Sequence, residues 1–140
     1  MAAVSAVQME IEERLRSHAE SLSRQDMDGA LELFASNAVM KLANTEPLCG
    51  TQELREFFER LFAAMHIGRG TFFTEELYLY DAMAFHFGTY EFTSAQTGDV
   101  QEKGGFAIVW RRQRDGSWRY HRGILNSSLP RSPWIGLPTM

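Results

Sequence analysis

Residues 104–125, GGFAIVWRRQRDGSWRYHRGIL, decide the class of fold. Two runs rich in aromatic and β-branched side chains flank Asp115-Gly116, and an Asp-Gly pair suits the left-handed backbone of a tight hairpin. Trp110 and Trp118 stand on either side of that turn. Working back toward the N-terminus, Thr97-Gly98-Asp99 and, more weakly, Tyr80-Asp81 punctuate stretches of the same character. The spacing predicts four consecutive strands over 71–80, 82–93, 104–113 and 117–125, joined by short turns into an antiparallel meander.

Upstream of Gly68 the apolar period changes. Val7, Ile11, Leu15, Ala19 and Leu22 recur every three or four residues, with Glu10, Glu12, Glu13, Arg14 and Arg16 between them, which predicts a long amphipathic helix. Asp28-Gly29 suits the N-cap of a short second helix over 30–34, and residues 38–42 read as a short strand. Leu54, Phe57, Phe58, Leu61, Phe62 and Met65 form the stripe of a third helix, with Thr51 as N-cap and Glu53 in its first turn. Helices first and strands afterwards give an α+β class, with three N-terminal helices packed into the concave face of a curved antiparallel sheet. A twisted sheet wrapped around a long helix leaves a gap at its wide end, and that gap is the expected site. One domain over 1–128 accounts for the pattern. A tail over 129–140 carries Pro130, Pro133 and Pro138 around Trp134-Ile135 and reads as an extended segment that docks on something.

The composition fits one core. The chain has 140 residues, 44% hydrophobic and 23% charged, ordinary proportions for a globular domain. Lys+Arg 14 against Asp+Glu 18 gives a net charge of −4, which provides no field for nucleic acid or an anionic membrane. No apolar run approaches the roughly 20 residues needed to span a bilayer. The first residues lack the basic and apolar regions of a signal peptide, so a cytoplasmic location is expected. Cys49 is the one cysteine, which rules out an internal disulfide, and no nearby His or Lys in sequence marks it as a nucleophile.

Five segments, in this order and spacing, carry a resemblance: 26–35 (DMDGALELFA), Gly50-Thr51 through Glu56-Phe57-Phe58, 104–112, 115–119 (DGSWR), and Asn126-Ser127-Ser128. They resemble the SnoaL-like and ketosteroid-isomerase-like branch of the nuclear transport factor 2-like superfamily over about residues 8–130. The resemblance implies a cone-shaped, cystatin-like α+β barrel with a deep apolar pocket, and a homodimer. It also implies a site from which the known carboxylates are missing. The isomerase's proton-shuttling carboxylate falls on Leu42, its second carboxylate near Ile108 and its helix tyrosine on His18. The cyclases' aspartate falls at Gly123. A cavity histidine like that of the scytalone dehydratases falls on His86, and its aspartate partner on Ser23. Fold alone therefore leaves the chemistry open.

The residues themselves supply candidates. His18 lies within the apolar stripe of the first helix, His86 alternates with Ala84, Gly88 and Tyr90, and His121 alternates with Gly123 and Leu125. All three are expected to face inward. A neutral imidazole, from His86 or His18, would take a proton from an acidic C–H or O–H, while Tyr90 donates a hydrogen bond to the oxygen that gains charge. Gly88 would open space for the ligand. Met40, Leu42, Phe57, Phe58, Ile108, Trp110, His121 and Leu125 would form the walls. The plainer alternative is that the histidines are core residues satisfied by neighbouring polar groups. No close-spaced metal-ligand motif occurs, and no cofactor is expected. Glu75, Glu76 and Glu102 sit at strand ends and are expected to be exposed. Two functions stay open: a cofactor-independent isomerase, cyclase or dehydratase acting on a hydrophobic cyclic carbonyl or phenolic molecule, and a non-catalytic dimeric binding domain.

Overall fold

The computed structural model describes residues 2–43 and 45–130. In chain order the elements are α1 (Ala2–Arg24), α2 (Met27–Leu31), β1 (Phe34–Leu42), β2 (Leu48–Cys49), α3 (Gly50–Ala64), β3 (Ile67–Tyr80), β4 (Met83–Ser94), β5 (Val100–Arg112) and β6 (Trp118–Ser127). The class is α+β, built on one curved, six-stranded sheet in the order β2-β1-β6-β5-β4-β3.

The meander holds from β3 to β6, where every neighbouring pair is antiparallel. The turn between β5 and β6 has Gly116 at φ 87, the left-handed conformation that the Asp-Gly signal anticipates. The sheet as a whole is mixed, not antiparallel, because β1 lies parallel to β6. Hairpin signals specify only strands joined by short turns. The direction of β1 is set by a crossover through β2, α3 and the three strands β3 to β5, which no local signal records.

The helix boundaries also move. α1 runs on to Arg24 and ends at Gln25, whose φ is 55. α2 starts earlier than expected, because Asp26, not Asp28, is its N-cap and accepts from the Gly29 N–H at 3.1 Å. α3 begins at Gly50, with Thr51 already inside it. Its Glu53 carboxylate reaches back to accept from the Cys49 N–H at 2.8 Å, which satisfies the donor of the N-cap residue.

The core follows from two periodicities meeting. Ile11, Leu15, Ala19 and Leu22 of α1 and Leu54, Phe57, Phe58 and Leu61 of α3 are buried. They pack with the inner parity of the sheet, of which Phe92, Phe106, Ile108 and Trp110 are examples. Truncating Phe57 or Phe58 to alanine in such a setting removes roughly 3–5 kcal/mol. Trp134-Ile135 and the last two prolines lie outside the described residues.

Candidate active site

Between α1, α3 and the inner face of the sheet, the helices and strands leave a cavity of about 40 Å³. A single water needs roughly 10–15 Å³ of such space, so the cavity holds a few waters and no ring-bearing molecule as it stands. The expected residues His18, Met40, Leu42, Phe57, Phe58, Ile108 and Leu125 all line it. Its lining contains no carboxylate; the polar side chains are His18 and Tyr120.

His18 is held by one hydrogen bond. Its Nδ1 lies 2.9 Å from the carbonyl of Ala30 in α2. A carbonyl only accepts, so the proton sits on Nδ1 and Nε2 keeps its lone pair. Nε2 makes no hydrogen bond among the described residues. Phe34 and Phe58 meet the ring edge-on, with centroids 5.6 and 5.7 Å away. Burial lowers the pKa to about 4, with the Ala30 carbonyl partly opposing it. The ring is therefore a neutral base at neutral pH.

Tyr120 lies across Phe34 from His18, its ring centroid 4.8 Å from that of Phe34. The hydroxyl is buried and has no hydrogen-bond partner among the described residues. It lies over Gly123, where an added Cβ would come within 2.1 Å of it, so the absence of a side chain at Gly123 is what gives the phenol its place. Burial raises the phenol above its usual range, so it stays a donor. An unpaired buried hydroxyl is costly by roughly 1–3 kcal/mol, and a ligand oxygen would relieve that cost.

His86 is buried but stands elsewhere. The Trp110 indole N–H donates to its Nδ1 at 3.2 Å. Indole only donates, so the His86 proton is on Nε2, which donates to Thr74 Oγ1 at 2.8 Å. The Thr74 hydroxyl in turn donates to Glu12 Oε2 at 2.7 Å. Both ring nitrogens are therefore occupied, and His86 is not among the residues lining the cavity. Burial lowers its pKa to about 4, with the Glu12 charge opposing.

Four other expected positions differ from their anticipated place. Tyr90 is buried, and its hydroxyl proton goes to Glu102 Oε2 at 3.1 Å rather than into the cavity. Gly88 opens no space: a Cβ there would meet the Phe73 carbonyl at 2.0 Å and the Phe106 ring at 2.7 Å. Trp110 faces inward but is fully buried against His86 and Tyr120, outside the cavity lining. His121 also lies outside it, beside Arg122. A register shift opposite Val109 and Trp110 breaks the alternation of β6 and turns Tyr120, not His121, inward. Burial and the charges of Arg122 and Arg111 lower the His121 pKa.

Two residues escaped the sequence reading. Tyr120 was hidden by that bulge. Glu102 is fully buried, where an exposed strand end was expected. It accepts from Tyr90, from Ser127 Oγ at 2.7 Å and from the Lys103 N–H at 3.0 Å. The signal was present in parity, since Glu102 falls in step with Gly104, Phe106, Ile108 and Trp110. Among the described residues no three His, Cys, Asp or Glu side chains form a metal-binding group, and no helix is long and apolar enough to cross a membrane.

Comparison with known proteins places this geometry. A cystatin-like-fold protein from Nostoc punctiforme superposes with a TM-score of 0.74 at 17% identity, covering 90% of this chain and 93% of that one. A ketosteroid isomerase-like protein from Erwinia carotovora gives 0.70 at 20% identity, covering 87% and 96%. A nuclear transport factor 2-like superfamily protein from Salmonella enterica gives 0.69 at 19%, covering 96% and 99%. At such identities the likeness establishes the fold alone. No curated protein sequence matches the chain. The SnoaL-like domain family matches residues 15–121, and the chain belongs to that family.

Proposed function

We propose that the cone binds a small hydrophobic molecule bearing a carbonyl or phenolic oxygen, and that His18 and Tyr120 act on it as base and hydrogen-bond donor. The reaction class is cofactor-independent isomerisation, cyclisation or dehydration. One observation carries the reading: the polar side chains of an otherwise apolar cavity are an imidazole with a free lone pair and a phenol with an uncommitted proton. His18 Nε2 would remove a proton next to the carbonyl, and Tyr120 would donate to the oxygen as it gains charge. In that role His18 replaces the missing carboxylates at Leu42 and Ile108.

The test is proton exchange. Cyclic ketones incubated with the protein in D2O should gain deuterium at the α-carbon. The exchange should vanish in His18→Gln and fall roughly 10²-fold or more in Tyr120→Phe. A second reading, the non-catalytic binding domain, is favoured by the smallness of the cavity. It wins if the same ketones raise the melting temperature without exchange. Neither shift nor exchange across the panel would sink the proposal.

We also propose a homodimer through the outer face of the sheet. Glu76, Phe87, Ala107, Ile124 and Lys41 lie side by side in one cross-strand row. Phe87 and Ile124 are 39% and 51% exposed. A row that is acidic at one end, apolar in the middle and basic at the other is self-complementary under a two-fold axis. Ile124→Lys should convert a dimer to a monomer in sedimentation velocity, and an unchanged sedimentation coefficient would refute the interface.

A further inference from the structure

A groove of about 760 Å³ runs between α1 and β3 on the outside of the cone. That volume is in the range of small-molecule sites, roughly 300–1,000 Å³, whereas the cavity beside His18 and Tyr120 is far below it. Leu15 and Phe72 line both spaces and form the wall between them. The two are unequal. Leu15 is 2% exposed and fixed in the stripe of α1. Phe72 is half-buried on the edge strand of the sheet, its ring leaning on Tyr90, Phe92 and Phe106 at centroid distances of 6.4, 5.7 and 6.0 Å. A change of rotamer at Phe72 would join groove and cavity without unpacking a helix, and partly exposed side chains change rotamer quickly.

The charge of the groove says what would use it. Arg24, the last residue of α1, and Arg69 on β3 both line it and are exposed. Neither makes an ion pair among the described residues, whereas Arg14, Arg16 and Arg55 each have a carboxylate partner. Glu20 is the acid nearest Arg24 along the groove face of α1, so this end carries two guanidiniums against one carboxylate. At the other end Glu12 is engaged by Thr74 and Gln8. Between them the floor is apolar, with Leu15, Ala19 and Phe72.

We infer that the ligand enters from this groove past Phe72, and that it is an acid: a flat aromatic or alicyclic carboxylate whose carboxylate stays outside on Arg24 and Arg69 while its carbonyl or phenolic end reaches His18 and Tyr120. This rests on the reading of the cone as the binding site. Guanidinium pairs bind carboxylates by charge-assisted, often bidentate hydrogen bonds, which is a preference that a neutral analogue forfeits.

The test uses two fluorescent probes that differ only in the acid, 2-naphthol and 6-hydroxy-2-naphthoic acid, titrated and followed by stopped flow at low salt. The acid should bind about tenfold more tightly than the neutral probe. Arg24→Glu with Arg69→Glu should remove that advantage and leave 2-naphthol unchanged. Phe72→Ala should raise the association rate of both probes, and Phe72→Leu, which keeps more of the packing, should do so to a lesser degree. Tyr120→Phe and His18→Gln should weaken both probes. Weakening by those two variants, with indifference to Phe72 and to the arginines, would overturn the route while the cone reading stands. Binding that follows the arginines and ignores His18 and Tyr120 would confine the ligand to the groove and overturn both. The absence of saturable binding by either probe would overturn the inference as well.

Discussion

His18 and His86 sit in two regions of one core, and burial pulls both to a pKa of about 4. Their surroundings give them different capacities. Around His86 the sheet supplies a donor on one side, Trp110, and an acceptor on the other, Thr74. Around His18 the short helix α2 supplies a single backbone carbonyl, and the rings of Phe34 and Phe58 meet the imidazole edge-on. Burial alone therefore does not mark a base. What marks it is the kind of partner at each nitrogen, because a donor-only neighbour consumes the lone pair that chemistry needs.

The largest effect that bears on this comparison is acid sensitivity. Above pH 6.5 both rings are neutral in the folded and unfolded chain. Between 6.5 and about 4 the unfolded chain takes up protons that the folded one refuses, so stability falls as pH is lowered through that window. The shortfall is about 3 kcal/mol for each histidine, of order 6 for the two. Urea midpoints measured from pH 7.5 to 4 should fall throughout this window, and His86→Leu should remove about half of the slope. A flat profile would mean that neither ring is held neutral.

Next in size is the substitution itself. His86→Leu leaves the Trp110 N–H without an acceptor and Thr74 Oγ1 without the donor it accepts from, and about 3 kcal/mol should be lost at pH 7.5. His18→Leu deprives only the Ala30 carbonyl and should lose about 1 kcal/mol. Equal losses would erase the distinction between a ring held by the sheet and one held by a single bond. A smaller but sharper readout is tautomeric. In imidazole nitrogen NMR at neutral pH, His18 should carry its proton on Nδ1 and His86 on Nε2. The same tautomer at both positions would contradict the hydrogen-bond assignment.

Much of this was legible in the sequence, and the failures share a cause. The helices, the hairpin at Asp115-Gly116 and seven of the cavity-lining residues followed from periodicity, turn chemistry and the resemblance, all of which act over short separations or whole segments. Periodicity placed His86 and Tyr90 on the inner face correctly, yet it could not show that Trp110, Thr74 and Glu102 would occupy their polar atoms. Those partners come from the neighbouring strands β3 and β5. His121 and Tyr120 exchanged places because one bulge shifts the alternation, and no residue in β6 announces it. Glu102 was misjudged by its residue type, since a buried carboxylate becomes tolerable only once Tyr90, Ser127 and the Lys103 N–H surround it.

The smallest effect on stability belongs to Tyr120→Phe, and it separates a functional hydroxyl from a structural one. The hydroxyl has no partner among the described residues, so removing it breaks no hydrogen bond and relieves a desolvated polar group. The variant should unfold at an unchanged urea concentration or gain up to about 1 kcal/mol. A buried phenol kept for structure would behave oppositely, as Tyr90→Phe should, since that change strips a donor from the buried Glu102 and ought to destabilise by about 1 kcal/mol or more. The two tyrosines thus repeat the contrast of the two histidines, one polar atom consumed by the fold and one left over. If Tyr120→Phe destabilises as much as Tyr90→Phe, the hydroxyl has a structural partner, and the cavity loses the donor on which the proposed chemistry depends.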